Sequence, residues 1–148
     1  MGVSTTYTGD TIAAGAPRAY SNDGRVITWT FSASGWGLNS QRKIVNNPVS
    51  GMADFFGEAT SISGDGNVLA VGARLAGGSS SGVAGPGRVY IYLWDGSNWQ
   101  LADTLHGDSN NDQFGTTVEL SASGSVLVVG APFKDVGSNA RAGMVRGA

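Results

Sequence analysis

Short apolar runs, separated by polar turns rich in glycine, follow one another along the whole chain. The clearest run is VLAV at residues 68–71, which lies between the turn GDGN at residues 64–67 and Gly72. A run of this length without polar alternation is typical of a strand that is covered on both faces. No segment carries the apolar period of a helix beyond two turns. The pattern therefore predicts an all-β protein.

The same pattern occurs more than once in the sequence. Residues 56–74 read FGEATSISGDGNVLAVGAR, and residues 114–132 read FGTTVELSASGSVLVVGAP, 58 positions later and without a gap. A shorter copy, GDTIAAGAP, occupies residues 9–17, and its Gly15 precedes Gly72 by 57 positions. Self-similarity at a fixed period of this size predicts a repeat architecture.

Two and a half repeats of about four strands each are predicted. Repeat 1 covers about residues 1–53 and is truncated at its N terminus, repeat 2 covers about 54–111, and repeat 3 covers about 112–148 and is truncated at its C terminus. The predicted strands lie near residues 11–14, 25–31, 44–45, 59–63, 68–71, 87–92, 99–105, 117–121, 126–129 and 143–145. Turn residues between these short runs are typical of antiparallel hairpins.

The Phe-Gly and Gly-Ala-Pro motifs, at this spacing, resemble the FG-GAP repeat family, the blades of integrin-α-type β-propellers. The resemblance implies blades of four antiparallel strands in a closed ring of about seven. A chain with two and a half repeats is then either a fragment of a longer propeller, which is the favoured reading, or a piece that assembles with copies of itself. An open stack of blades would expose sheet faces and strand edges that ring closure hides.

The recurring residues have structural explanations. Phe56 and Phe114 each precede a glycine, and we expect their rings to pack across the seam between neighbouring blades. The glycine that follows each ring allows close backbone approach. Gly66 and Gly124 stand at the hairpin turn, where a positive φ is expected.

Composition excludes several functions. The net charge is −2, with only 14% charged residues, which gives no electrostatic case for nucleic acid or an acidic membrane surface. The absence of cysteine excludes disulfides and thiol chemistry. No apolar run approaches the roughly 18 residues of a membrane helix, and the first ten residues lack the basic and apolar parts of a signal peptide. His106, the only histidine, has no recognisable catalytic partners in the sequence, so no enzyme activity is predicted.

No cofactor is predicted, and calcium at Asp108, Asn110 and Asp112 is kept only as a minor alternative. Their spacing matches positions 1, 3 and 5 of a calcium loop, but position six is Gln113 where such a loop needs glycine. Asp112 corresponds to Asp54 in the preceding repeat, and an aspartate that bonds nearby backbone N–H groups explains both. The same turn chemistry is expected for the two Asp-Gly turns, at Asp65 and Asp95.

Tryptophans and unequal loops are the candidates for ligand contact. Trp36 and Trp99 share one repeat position and are expected to pack the outer hairpin, whereas Trp94 has no counterpart and is the candidate exposed ring. Three loops, at residues 18–23, 75–86 and 133–142, differ in length and sequence while the flanking strands barely change. Variable loops on a constant scaffold are typical of binding function.

The combined expectation is a non-catalytic interaction module, adhesion-like, outside the cell or at the cell surface. Its location follows from the resemblance alone. The expected partner is a protein or glycan, with the remaining blades of a longer chain or further copies of itself at the blade edges; nucleic acid and direct membrane insertion are not expected. The alternatives are a non-catalytic propeller portion of a larger secreted enzyme and a purely structural scaffold.

Overall fold

The computed structural model describes residues 1–33, 35, 41–78, 83–140 and 143–147. These residues form three antiparallel sheets and a single short helical turn, which confirms the all-β class. In each sheet every strand pairs with its neighbour in sequence, so the chain runs up and down without a crossover. Trp36 lies outside the described residues, and its predicted packing stays a prediction.

The first two sheets have four strands, and the third has three among the described residues. The first sheet contains β1 (Val3–Thr5), β2 (Thr11–Ala16), β3 (Arg25–Thr30) and β4 (Gln41–Asn46), with α1 (Ala19–Asn22) between β2 and β3. The second sheet contains β5 (Ala59–Ile62), β6 (Val68–Ala73), β7 (Arg88–Trp94) and β8 (Trp99–His106). The third sheet contains β9 (Thr117–Leu120), β10 (Leu127–Ala131) and β11 (Met144–Gly147).

Strand β1 is an element that the sequence did not predict. It pairs antiparallel with β2, with Val3 opposite Ala14 and Thr5 opposite Ile12. The strand is only three residues long and has a single apolar residue, so it carries no periodic signal. Repeat 1, expected to begin its strands at Thr11, therefore has a four-stranded sheet like repeat 2.

The hairpin turns follow the predicted glycine chemistry. Gly66 and Gly124 have φ of +73° and +70°, the left-handed conformation that glycine adopts without steric penalty. At the first of these turns the Asp65 carboxylate accepts hydrogen bonds from the Ser63 hydroxyl (2.6 Å) and the Asn67 backbone N–H (3.1 Å). The turn therefore needs no metal ion to hold Asp65.

Two apolar clusters join the three sheets into one stack. The first lies between the first and second sheets, and the second lies between the second and third. The first contains Ala13, Val26, Val45, Phe56, Ile62, Leu69, Val71, Ala73, Ala76, Tyr90 and Tyr92. The second contains Ala59, Ala70, Val89, Phe114, Val118, Leu120, Leu127, Val129 and Ala131. The second sheet is therefore covered on both faces, as its uninterrupted apolar run predicts.

The Phe-Gly motifs lie at these two seams. Phe56 is fully buried in the first seam, where its ring centroid is 5.5 Å from that of Tyr90. Phe114 is buried in the second seam. A Cβ atom on Gly15 would collide with the carbonyl oxygen of Gly57, and one on Gly72 would collide with that of Gly115. The predicted ring packing and close backbone approach are both confirmed.

A row of backbone hydrogen bonds runs through both seams. The Tyr7 N–H donates to the Gly64 carbonyl (3.1 Å), and the Gly64 N–H donates to the Ala122 carbonyl (2.8 Å). These three residues stand 57 and 58 positions apart, so each occupies the same place in its repeat. The two seams are therefore equivalent, and each sheet is related to the next by the same kind of contact.

Candidate binding face

Loops at one end of the stack form a continuous surface, here called the loop face. Its described residues lie within the loops at 17–24, 47–58, 74–87, 107–116 and 132–143, of which 79–82 and 141–142 are outside the described part of the chain. Each loop follows the second or the fourth strand of a sheet. All three loops that the sequence marks as variable therefore lie on this face.

Backbone hydrogen bonds hold neighbouring loops of this face together. The Phe55 N–H donates to the Asn22 carbonyl (3.0 Å), which joins the first loop to the second. The Leu75 N–H donates to the Asp54 carbonyl (3.4 Å), and the Phe133 N–H donates to the Asp112 carbonyl (3.3 Å). Because these groups are paired, the loop face is part of the folded structure rather than a set of independent loops.

The first variable loop, at residues 18–23, has an unusual backbone. Tyr20, Ser21 and Asn22 have φ of 51°, 59° and 73°, a conformation that is uncommon for residues other than glycine. The Arg25 guanidinium lies 4.2 Å from the Tyr20 ring centroid, in cation–π geometry. The Tyr20 side chain is 66% exposed on this loop, and one face of its ring contacts the Arg25 guanidinium.

Asp23 anchors the same loop to the next one. Its carboxylate accepts the backbone N–H of Gly51 (2.8 Å to each oxygen) and of Met52 (3.2 Å). The Asn47 side-chain amide donates to the Asp23 backbone carbonyl (3.1 Å). An aspartate in a variable loop gave no sequence signal for this role, because its partners are backbone groups about 28 residues away.

The corresponding aspartates Asp54 and Asp112 are both buried but have different partners. Asp112 accepts the Ser109 backbone N–H (3.0 Å), as the turn interpretation predicts. The turn interpretation is wrong for Asp54, because its carboxylate accepts the Asn47 side-chain amide (3.5 Å) and no backbone N–H among the described residues, and its Oδ1 is buried without a hydrogen-bond partner there. Burial raises the pKa of Asp54, and the Asn47 amide and the nearby Arg88 charge oppose that shift.

Two of the candidate calcium ligands, Asp108 and Asp112, form ion pairs with Lys134. The Lys134 ammonium lies 2.8 Å from Asp108 Oδ2 and 3.3 Å from Asp112 Oδ2, and these carboxylates raise the lysine pKa. The ammonium thus supplies the positive charge that a cation would bring to the two carboxylates. Within the described residues no group of three histidine, cysteine or acidic side chains is placed to hold a metal ion. Sequence comparison missed Lys134, because the corresponding residue of repeat 2 is Ala76.

Arg74 explains why one repeat departs from the Gly-Ala-Pro motif. Its guanidinium forms an ion pair with Glu58 and donates a hydrogen bond to the Gln113 side chain (3.4 Å). It also lies 5.0 Å from the Phe55 ring centroid. Since Gln113 belongs to the next loop, Arg74 ties the loops before the second and third sheets together in a way that proline does not.

Two open clefts of similar size lie in the loop face. One, of about 530 Å³, has a polar lining that includes residues 109–113, Phe133 and Asp135. The other, of about 520 Å³, has a lining that includes residues 16–19, Phe55, Glu58 and Arg74. Each cleft combines an aromatic ring with charged or amide groups, a composition suited to a polar ligand with apolar faces.

The ends of the central loop, 75–86, are part of the scaffold. Ala76 is fully buried, and its carbonyl accepts the Gly87 N–H (3.1 Å). The Pro86 carbonyl accepts the Phe114 N–H (2.9 Å), which connects this loop to the second seam. Variation without loss of the fold is therefore expected in the middle of the loop, not over its whole length.

Other predicted candidates lie elsewhere. Trp94 is half-buried at the opposite end of the stack, and its ring centroid is 5.2 Å from that of Trp99 in an edge-to-face pair. The Trp99 indole N–H donates to the Thr28 hydroxyl (3.1 Å) across the first seam. The Asp95 carboxylate accepts the backbone N–H groups of Ser97 and Asn98 in its hairpin turn, as predicted. His106 ends β8.

Among the described residues, no helix has the length and apolar character needed to cross a membrane. A scan against models of protein families finds no match for this chain, and a search of curated proteins finds no relative.

Proposed function

We propose that the three sheets are blades of an FG-GAP-type β-propeller. The sheets share an up-and-down strand order, and successive sheets are joined by equivalent seams 57 or 58 residues apart. Radial repetition of four-stranded sheets around an axis is the defining geometry of propellers. The resemblance rests on the Phe-Gly pairs and on the glycine of each second strand, and these residues lie at the seams.

In this proposal the loop face binds a protein or glycan outside the cell, without catalysing a reaction. One observation carries it: the seam contacts recur from repeat to repeat, while the three variable loops at one end share neither length nor sequence. The loops are nevertheless fixed in place by Asp23, Arg74 and Lys134. A rigid surface of varied residues is suited to specific recognition, because little ordering entropy is lost on binding. The extracellular location follows from the resemblance.

The test uses a printed array of defined oligosaccharides and a displayed library of random peptides. We expect one ligand class to be retained by the chain and to be lost in Tyr20→Ser, which changes the loop face. The matched control is Tyr7→Ser, whose ring is 89% exposed in the turn after β1, at the opposite end of the stack. No retained ligand in either library, or equal loss in both variants, would contradict the proposal.

A further inference from the structure

The outer face of the first sheet is an apolar surface that no other described strand covers. Val3, Ala14, Ile27 and Ile44 stand directly opposite one another on adjacent strands, so they form one row across β1 to β4. Val3 is 62% exposed and Ile44 is 43% exposed. A continuous apolar row of this kind on a sheet face is typical of a surface that packs against another sheet.

The outer face of the third sheet is the complementary surface. Val128 is 40% exposed and stands opposite Glu119 on β9. Val126 precedes β10 and is also exposed. The residue that corresponds to Val128 in the second sheet is Ala70, which is fully buried against the third sheet.

The two outer faces are the two halves of one seam. Ala14 and Ile27 correspond to Val71 and Tyr90 of the second sheet, which are buried in the first seam. The outer face of the first sheet is therefore equivalent to the face of the second sheet that packs on the first sheet. The outer face of the third sheet is equivalent to the face of the second sheet that packs on the third sheet.

We propose that the outer face of the third sheet packs on the outer face of the first sheet of a second copy, head to tail. The new seam would extend the row of backbone hydrogen bonds, in which Tyr7 donates to Gly64 and Gly64 to Ala122. The next donor in that row is the Ala122 N–H, and the matching acceptor is the Tyr7 carbonyl of the second copy. The interface is thus continuous with the two seams within the chain.

A head-to-tail contact either closes into a ring or continues as an open series. Propellers close with about four to eight sheets. Two copies of the three described sheets supply six sheets, whereas three copies supply nine. The geometry therefore favours a closed dimer with two equivalent seams between copies.

The association is expected to depend on concentration. Each internal seam contains a buried phenylalanine ring, Phe56 or Phe114. The face of the third sheet also carries Glu119 at the position of Ser61, whose hydroxyl accepts the Leu120 N–H inside the second seam. An inward-facing charge weakens sheet-to-sheet association.

The experiment is light scattering behind a sizing column over a wide range of protein concentration. The wild-type mass is expected to rise from 15.1 kDa to twice that value. Val128→Asp is expected to stay at the single-chain mass, and Glu119→Ser, which restores the residue of the internal seam, to dimerise at lower concentration. Val83→Asp is the control, because Val83 is 48% exposed in a loop away from both sheet faces.

Circular dichroism of each variant checks that its sheets are intact. A wild-type chain that keeps the single-chain mass at the highest concentration would overturn the proposal. So would a Val128→Asp chain that still dimerises, and a series of ever larger species would overturn ring closure. Val128→Asp and Glu119→Ser change a sheet face and not the loop face, so their outcomes are independent of the ligand-binding test.

Discussion

Gly72→Ala tests the central seam with a single added methyl group. A Cβ atom at Gly72 would lie 2.1 Å from the carbonyl oxygen of Gly115, which belongs to the neighbouring repeat. Cβ atoms keep at least 3.0 Å from such atoms, so the two backbones would have to separate by almost an ångström. Neither partner is the end of a flexible side chain, so the strain falls on the seam itself.

The expected loss of stability is about 3 kcal/mol, at the upper end of what overpacking a core costs. Replacing glycine by alanine also stabilises by about 0.4–1 kcal/mol through the unfolded chain, which is too little to offset the collision. For a chain of this size a 3 kcal/mol loss lowers the thermal midpoint by about 6–12 °C. The steric effect therefore dominates.

The assay is urea unfolding followed by tryptophan fluorescence, with thermal unfolding as a second measure. Gly130→Ala is the matched control, since Gly130 corresponds to Gly72 in the third sheet. Among the described residues, a Cβ atom there meets Thr117 alone, and the nearest atom is its hydroxyl oxygen, which can rotate away. We expect Gly130→Ala to be close to neutral. Equal destabilisation by the two substitutions would refute the argument that the seam fixes the identity of Gly72.

Four further predictions concern charges and the indole contact. Burial raises the pKa of Asp54 in the folded state, so the protonated Asp54 carboxyl stabilises the fold most below pH 3.8, and this contribution is lost as the pH rises. Asp54→Asn should therefore gain stability relative to wild type as the pH rises. Asp95→Asn should lose stability relative to wild type as the pH rises in the same denaturant series, because hydrogen bonds from the Gln100 side chain and the turn amides lower the pKa of Asp95. The same pH trend in the two variants would contradict the opposite pKa shifts of Asp54 and Asp95. A double-mutant cycle of Trp99→Phe and Thr28→Val should give a coupling of about 0.5–1.5 kcal/mol, the usual net value of one hydrogen bond, and a coupling near zero would remove this contact from the seam. Calcium chloride should leave the wild-type thermal midpoint unchanged against a chelator control, because the Lys134 ammonium already binds both candidate carboxylates, whereas a clear rise would show that calcium displaces it.

Features that repeat in the sequence were predicted well, because each has a local physical cause. The turn at Gly66 requires a positive φ, and Gly57, which follows Phe56, has a φ of +89° and lies where a Cβ atom would meet the Arg25 carbonyl oxygen. Such requirements act at every repeat and therefore leave the same residue at the same spacing. The uninterrupted apolar run of β6 likewise reflects two covered faces.

Features that occur once were missed, because their partners are distant in sequence. Strand β1 is defined by backbone pairing with β2 and not by its own apolar pattern. The contact of Lys134 with Asp108 spans 26 residues, and that of Arg74 with Gln113 spans 39. The left-handed backbone around Tyr20 has no glycine to mark it. The loop face is built mostly from contacts that occur once and join residues distant in sequence. The sequence therefore predicts which loops form this face but not how they contact one another.

Amide hydrogen exchange of Tyr7 and Gly64 tests most directly whether the three sheets form one stack. Both N–H groups donate across a seam, and neither belongs to a strand. The Ser97 N–H, which donates to a carboxylate in an exposed turn, is the reference. We predict that Tyr7 and Gly64 exchange far more slowly than Ser97, at rates close to those of the strands they join. Exchange as fast as that of Ser97 would mean that the sheets separate in solution, and it would contradict the account.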